Sequence, residues 1–145
     1  MENIINNLRH ISGQTHFELL LNTFKLLING YRYTRPSDNK HFDIEYIDFE
    51  NISKNIFRVV NQFEVGYGNK TDIRIPDVLL FVNGIPLCIF ELKNPADANA
   101  TIADAYDQIH VRYLRDIPHL FRYCPLSCIS DATNNNTKLG TTYTP

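Results

Sequence analysis

The sequence has little to tie it to an oxidising compartment, a membrane or a nucleotide-driven motor. Only three of its 145 residues are cysteines: Cys88, Cys124 and Cys128. An odd count with one close pair is a poor disulfide framework and points to a reducing cytoplasm. No CxxC pair accompanies Cys124 and Cys128, so a zinc centre is not expected, and the thiols read as small buried hydrophobes. No apolar run is long enough to span a bilayer, and Met1 is followed by Glu2, Asn3 and Asn6 rather than a basic leader. A GxxxxGK[ST] phosphate loop and an internal repeat are both missing, which excludes an ATP-driven motor in this stretch. An excess of basic residues is missing too. Lys plus Arg is 14 and Asp plus Glu is 16, for a net charge of -2. That excludes nonspecific coating of nucleic acid. It does not exclude a nuclease, because a metal ion can supply positive charge locally.

What is present is globular. Hydrophobic residues make up 43% and charged residues 21%. A chain of this size buries roughly 68–70% of its unfolded surface and needs no staples. The residue pattern predicts a helix near 15–29, where Phe17, Leu20, Leu21, Phe24, Leu27 and Ile28 recur at helical spacing. Thr15 and Glu18 form a capping box at its start, and Gly30 stands where a C-cap belongs. Residues 30–41 are polar and read as a loop. Strands are predicted at 42–49 and 56–65. Two apolar runs, 75–82 and 85–93, flank Asn83-Gly84, the strongest short-range hairpin signal. Both runs are apolar on both faces and belong at the centre of a sheet. Asn94-Pro95 stops the second run. A helix over about 99–115 carries Ile102, Tyr106, Ile109 and Tyr113 on one face, and a short strand follows at 126–130. The polar segment 132–145 and residues 1–14 are expected to be flexible. The order is α-β-β-β-β-α-β, an α/β domain with a central mixed sheet of four to five strands flanked by helices.

Ionisable residues within buried strands are costly unless paired or metal-bound. The hairpin carries three: Asp77, Glu91 and Lys93. Strand periodicity puts Glu91 and Lys93 on one face. Two carboxylates suit a hard cation such as Mg²⁺, which polarises a phosphoryl oxygen and acidifies a bound water. A neighbouring lysine can orient that water or stabilise the transition state. The pairing poses a geometric condition. In a strict two-residue hairpin Val82 pairs with Ile85 and Asp77 with Phe90, so Glu91 faces away from Asp77. Sharing a metal requires a one-residue offset, expected as a bulge near Pro76 or a three-residue loop over 83–85.

Pro76-Asp77 followed by Glu91-Leu92-Lys93 matches the PD-(D/E)xK nuclease motif. The longer run "FRVVNQFEV", "IPDVLLFVNGIPLCIFELKNP", "AYDQI…RY" and "ISDA" resembles the N-terminal nuclease domain of the R subunit of type I restriction–modification enzymes, over about residues 42–131. The resemblance implies a restriction-endonuclease-like core. It implies Asp77 and Glu91 as Mg²⁺ ligands, the Leu92 carbonyl as a further ligand and Lys93 as the catalytic lysine. It implies a single nuclease domain over 1–145, cut from a larger polypeptide whose motor uses ATP. Double-stranded DNA and the modification and specificity subunits are the implied partners, with no obligatory homodimer. The family also carries a glutamine and a tyrosine on the next helix as Q-x-x-x-Y, which makes Gln108 and Tyr113 candidates. Here the spacing is one residue longer. One helical residue rotates a side chain by about 100°, so Arg112 rather than Tyr113 is expected on the Gln108 face. Glu18 is a candidate further acid, although its capping box accounts for it. Arg32, Arg35, Lys40, Lys70 and Arg74 are candidate phosphate contacts, with a solvated face as the default. The five histidines have no metal spacing and read as surface or packing residues. Two other functions fit the sequence: a nuclease-fold module that binds DNA or a partner without cutting, and a stand-alone repair or junction nuclease.

Overall fold

The computed structural model describes residues 2–69, 71–94, 96, 101–131 and 137–142. The expected stop at Pro95, the contact at Lys70, the first residues of the 99–115 helix and parts of the segment 132–145 lie outside them. The chain divides into two compact units, residues 1–56 and 57–145.

The first unit opens with helix α1 (Glu2–Arg9) and helix α2 (His16–Asn29). The capping box forms as the sequence predicts. Glu18 N donates to Thr15 Oγ1 at 3.2 Å, and Thr15 N to Glu18 Oε2 at 3.4 Å. Gly30, at φ 67°, closes the helix by donating to the Leu26 carbonyl. The predicted apolar face divides: Leu20 and Leu27 are buried with Thr23, while Phe17, Leu21, Phe24 and Ile28 are exposed. Thr23 tolerates burial because its hydroxyl donates to the Leu19 carbonyl.

The segment 30–41, read as a loop, instead opens with strand β1 (Tyr31–Thr34), which pairs antiparallel with β2 (His41–Ile44) at the start of the strand predicted over 42–49. Tyr31 and Tyr33 alternate with exposed residues, and Arg35 grips the Asp38 carboxylate at 2.8 and 2.6 Å across the turn. Strand-forming tyrosines and this closed turn outweigh the polar composition. A 3₁₀ turn (Ile52–Lys54) ends the unit.

The second unit is built on a five-stranded mixed sheet flanked by helices, the restriction-endonuclease-like core expected from the sequence. Its strands in space are β3 (Phe57–Asn61), β6 (Val78–Val82), β7 (Ile85–Leu92), β8 (Leu126–Ser130) and β9 (Lys138–Thr141). Only β7 and β8 run parallel. A side ribbon pairs β4 (Val65–Gly66) with β5 (Ile73–Arg74). The run predicted as one strand over 56–65 is broken at Gln62, which adopts φ 53°. Strand β9 falls in a segment the sequence offers no apolar reason to pair. Between β7 and β8 the chain forms α3 (Ile102–Asp107), a π-helical turn (Gln108–Tyr113), α4 (Leu114–Asp116) and α5 (Pro118–Phe121). The core joins Leu79, Ile89 and Ile129 of the sheet to Ala105, Ile109, Tyr113 and Phe121 of the helices and to Ile117 between α4 and α5. Cys88, Cys124 and Cys128 are free and buried, as read from the sequence for Cys124 and Cys128.

The β6–β7 hairpin decides where the charged residues point. Asn83 at φ 52° and Gly84 at φ 84° form a two-residue turn, and Val82 pairs with Ile85. The offset the sequence demanded is present but sits elsewhere. Phe81 pairs with Pro86 while Leu80 pairs with Cys88, leaving Leu87 as the extra residue. The bulge is therefore neither near Pro76 nor in the loop. It follows a proline, which cannot donate to the ladder and is confined in sheets to edges, strand starts and bulges. Beyond it Val78 pairs with Phe90, so the next step along the ladder sets Asp77 opposite Glu91, on one face.

Candidate active site

Asp77 is held at the mouth of β6 by three contacts. Leu92 N donates to its Oδ2 at 2.8 Å, and Gln62 Nε2 to its Oδ1 at 3.2 Å. Its carbonyl accepts from Gln62 N at 2.9 Å. Sequence reading missed Gln62. No local pattern marks it: its left-handed backbone, uncommon at a non-glycine residue, is visible only in the fold.

Glu91 is fully buried. Its Oε2 accepts from Gln108 Nε2 at 2.8 Å. Its Oε1 is buried and has no hydrogen-bond partner among the described residues. Burial pushes the Glu91 carboxyl up to about 7, and the Asp77 carboxylate adds to the rise. A buried carboxylate oxygen without a donor is unstable as it stands. It calls for a proton or a cation.

Gln108 joins the acid to the base. Its Oε1 accepts from Lys93 Nζ at 2.8 Å, while its Nε2 donates to Glu91 Oε2 and to Tyr113 Oη, each at 2.8 Å. The reverse amide orientation would set donor against donor at Lys93, so the partners dictate it. Lys93 is also fixed through its backbone, its N–H donating to the Ser130 carbonyl at 2.8 Å.

Tyr113 joins this group, against the expectation from its spacing. The segment Gln108–Tyr113 is π-helical, with i→i+5 bonding in place of i→i+4. The wider turn accommodates the extra residue and returns Tyr113 to the Gln108 face. Its hydroxyl donates to the Ile75 carbonyl at 3.2 Å, and burial pushes its ionisation upwards. Arg112, expected on that face, is exposed.

The remaining candidates are accounted for locally. Glu18 spends its carboxylate on the N–H groups of Gln14 and Thr15 in the first unit. Arg32 pairs with Asp43, Arg35 and Lys40 with Asp38, and Arg74 with Asp116. Arg74 also lies over the Tyr67 ring, at 4.3 Å. Among the described residues no group of three or more His, Cys, Asp and Glu forms a metal-binding cluster, and no helix is long and apolar enough to cross a membrane.

Residues 3–143 match the family described as the type I restriction enzyme R protein N terminus. The chain is 41% identical over 132 residues to a protein of Methanocaldococcus jannaschii named as the MjaIXP type I restriction enzyme endonuclease subunit. That alignment takes in 89% of this chain and 12% of the relative. It is 41% identical over 110 residues to the HindI type I restriction enzyme endonuclease subunit of Haemophilus influenzae, covering 74% of this chain and 10% of the relative. To the EcoprrI type I endonuclease subunit of Escherichia coli it is 35% identical over 109 residues, covering 72% of this chain and 33% of the relative. The chain thus spans about a tenth of the length of the first two relatives.

Proposed function

We propose that this chain, which belongs to the type I restriction enzyme R protein N-terminus family, is a metal-dependent endonuclease module that hydrolyses DNA phosphodiester bonds. The observation that carries the reading is the buried Glu91 set opposite Asp77, with one carboxylate oxygen lacking a donor. That orphaned acceptor, beside a second carboxylate, fits a hard divalent cation. Asp77, Glu91 and the Leu92 carbonyl would hold Mg²⁺, which takes oxygen ligands and keeps several waters. When bound, the ion supplies Lewis acidity and lowers the pKa of water.

The chain's own residues supply the rest. Glu91 must be ionised to serve as a ligand, and the Gln108 N–H stabilises that anion. Lys93, held by Gln108 Oε1, presents a fixed positive charge to the reacting phosphate and stabilises charge developing there. Gln108 itself is a positioning residue, and Tyr113 limits its rotation. The backbone hydrogen bonds to Asp77 and Lys93 keep both groups at rigid strand ends. Double-stranded DNA is the substrate of this reading. The modification and specificity subunits, and an ATP-driven motor elsewhere in the parent polypeptide, are its partners. Three free buried thiols suit a reducing cytoplasm.

Calorimetric titration with Mg²⁺ and Mn²⁺, alongside nicking of supercoiled DNA, tests the proposal. Metal binding that Asp77→Asn abolishes, together with metal-dependent nicking, is the expected result. DNA binding without metal binding in the wild-type chain would point instead to a non-cleaving nuclease-fold module.

A further inference from the structure

We propose that the cleft between the π-helical turn and strand β9 is a subsite for one unstacked base of single-stranded or locally unpaired DNA, next to the phosphate that is cut. This inference rests on the nuclease reading of the Asp77–Glu91 centre.

The cleft lies within the second unit and encloses about 230 Å³. Tyr106 and His110 form one wall, their rings stacked at 4.2 Å and 30°. Ser127, Ile129 and Gly140 form the floor, and Lys138 stands at the rim. Strand register places this floor beside the proposed centre. Glu91 pairs with Ile129, and Ile129 pairs with Lys138, so all three share one face and one row. With strands about 4.8 Å apart, Lys138 stands about 10 Å from Glu91. The next row runs Ile89, Ser127, Gly140. The cleft is thus the continuation of the Glu91 row towards the open edge of the sheet.

Its chemistry suits a nucleotide. Planar rings offer a stacking surface for any base. Lys138 is exposed and has no ion pair among the described residues, and no carboxylate lines the cleft. An anion next to the base therefore meets the Lys138 ammonium with no carboxylate in the cleft lining. The Ser127 hydroxyl is the polar side chain on the floor, and it donates to the Thr141 carbonyl at 3.3 Å. A stacked, paired base cannot enter such a concavity. Only an unpaired or extruded base can, and the cost of unstacking is least where the strand is already single. Gly140 adds the shape: a Cβ built there meets nothing within 4 Å.

That open space supplies the test. Gly140→Trp should fill the cleft without disturbing the backbone. A short single strand carrying 2-aminopurine is titrated into the metal-free chain, read by anisotropy and by 2-aminopurine emission. Stacking should quench the emission. Tyr106→Ala and Gly140→Trp should each weaken binding about ten-fold, as expected for loss of one stacked base. Tyr106→Phe should restore it, and Lys138→Ala should lower the salt slope by about one. Thermal melts within a few degrees of wild type confirm folding, and Gly140→Leu replaces the tryptophan variant if that fails. Unquenched emission, or equal affinity for wild type, Tyr106→Ala and the filled variant, overturns the subsite. A parallel Mg²⁺ cleavage assay separates the two claims. Cleavage that is indifferent to the cleft variants sinks the subsite alone. Cleft-dependent binding with no cleavage sinks the nuclease reading and keeps the base site.

Discussion

Gln108 and Tyr113 meet side chain to side chain, Nε2 to Oη at 2.8 Å, although five positions separate them. On a regular α-helix they would diverge by about 140°. The π-helical turn brings them together, and such turns recur at functional sites because they re-aim side chains inside an otherwise ordinary helix.

Deleting one exposed residue of that turn should therefore be tolerated. Removal of Val111, which is 58% exposed, should convert the turn to α-helix and leave glutamine and tyrosine at i and i+4. Metal-dependent cleavage is expected to survive within a few-fold. The same deletion made in α3, at Ala103, has no bulge to absorb it and should misplace Ala105 in the core. Thermal melting and nicking of the two deletants check this. Loss of activity in the Val111 deletant with the fold intact would mean that the wide turn itself is needed.

The folded protein binds a proton at Glu91 up to about pH 7, while the unfolded chain releases it near 4.5. Between those values the native state holds more protons, so stability falls as pH rises. Metal-free protein should lose roughly 1–3 kcal/mol across that window. Glu91→Gln should flatten the slope and melt higher than wild type at pH 8, while losing metal binding. Melts in buffers of matched ionic strength decide the point. A wild-type curve rising from pH 5 to 7 would contradict it.

Gln108→Ala removes the donor to Glu91 and the acceptor of Lys93 together. It should cost about 1–3 kcal/mol in stability for the buried group left unpaired. Cleavage should fall about 10–100-fold, the scale seen when partners of metal ligands are lost. Gln108→Glu keeps the acceptor for Lys93 but turns a carboxylate towards Glu91. It should raise the pH needed for metal binding, measured by titration.

Lys93→Ala should abolish cleavage and shift the melting temperature by only a few degrees, because its ammonium fills no core position. Retained Mg²⁺ affinity beside lost cleavage would identify the lysine as part of the chemistry. A collapse in melting temperature would make it structural.

How much of this was legible beforehand differs from element to element. Asn83-Gly84 marked the turn, since only residues tolerant of positive φ fit there, but left open whether the loop held two residues or three. Thr15 and Glu18 specified the start of α2 by a bond pattern confined to four residues. The charged trio stood out because carboxylates are costly in apolar strands. These are local rules, and the chain obeys them locally. By contrast, the bulge at Leu87 was required by the chemistry but not located by the sequence. A one-residue slip moves every later side chain to the other face, so packing on both sides of β7 chooses where it falls. The π turn arose the same way, from one residue too many between two positions that the core and Glu91 both need on one face. Gln62 was silent in the sequence because its partner Asp77 meets it only across the β3–β6 ladder, and β9 because Lys138–Thr141 carries no apolar alternation to mark a strand. Local propensity determined which residues turn, cap and alternate. Only tertiary packing decided which carboxylates face each other, because that depends on register, and register is set by every strand and helix at once.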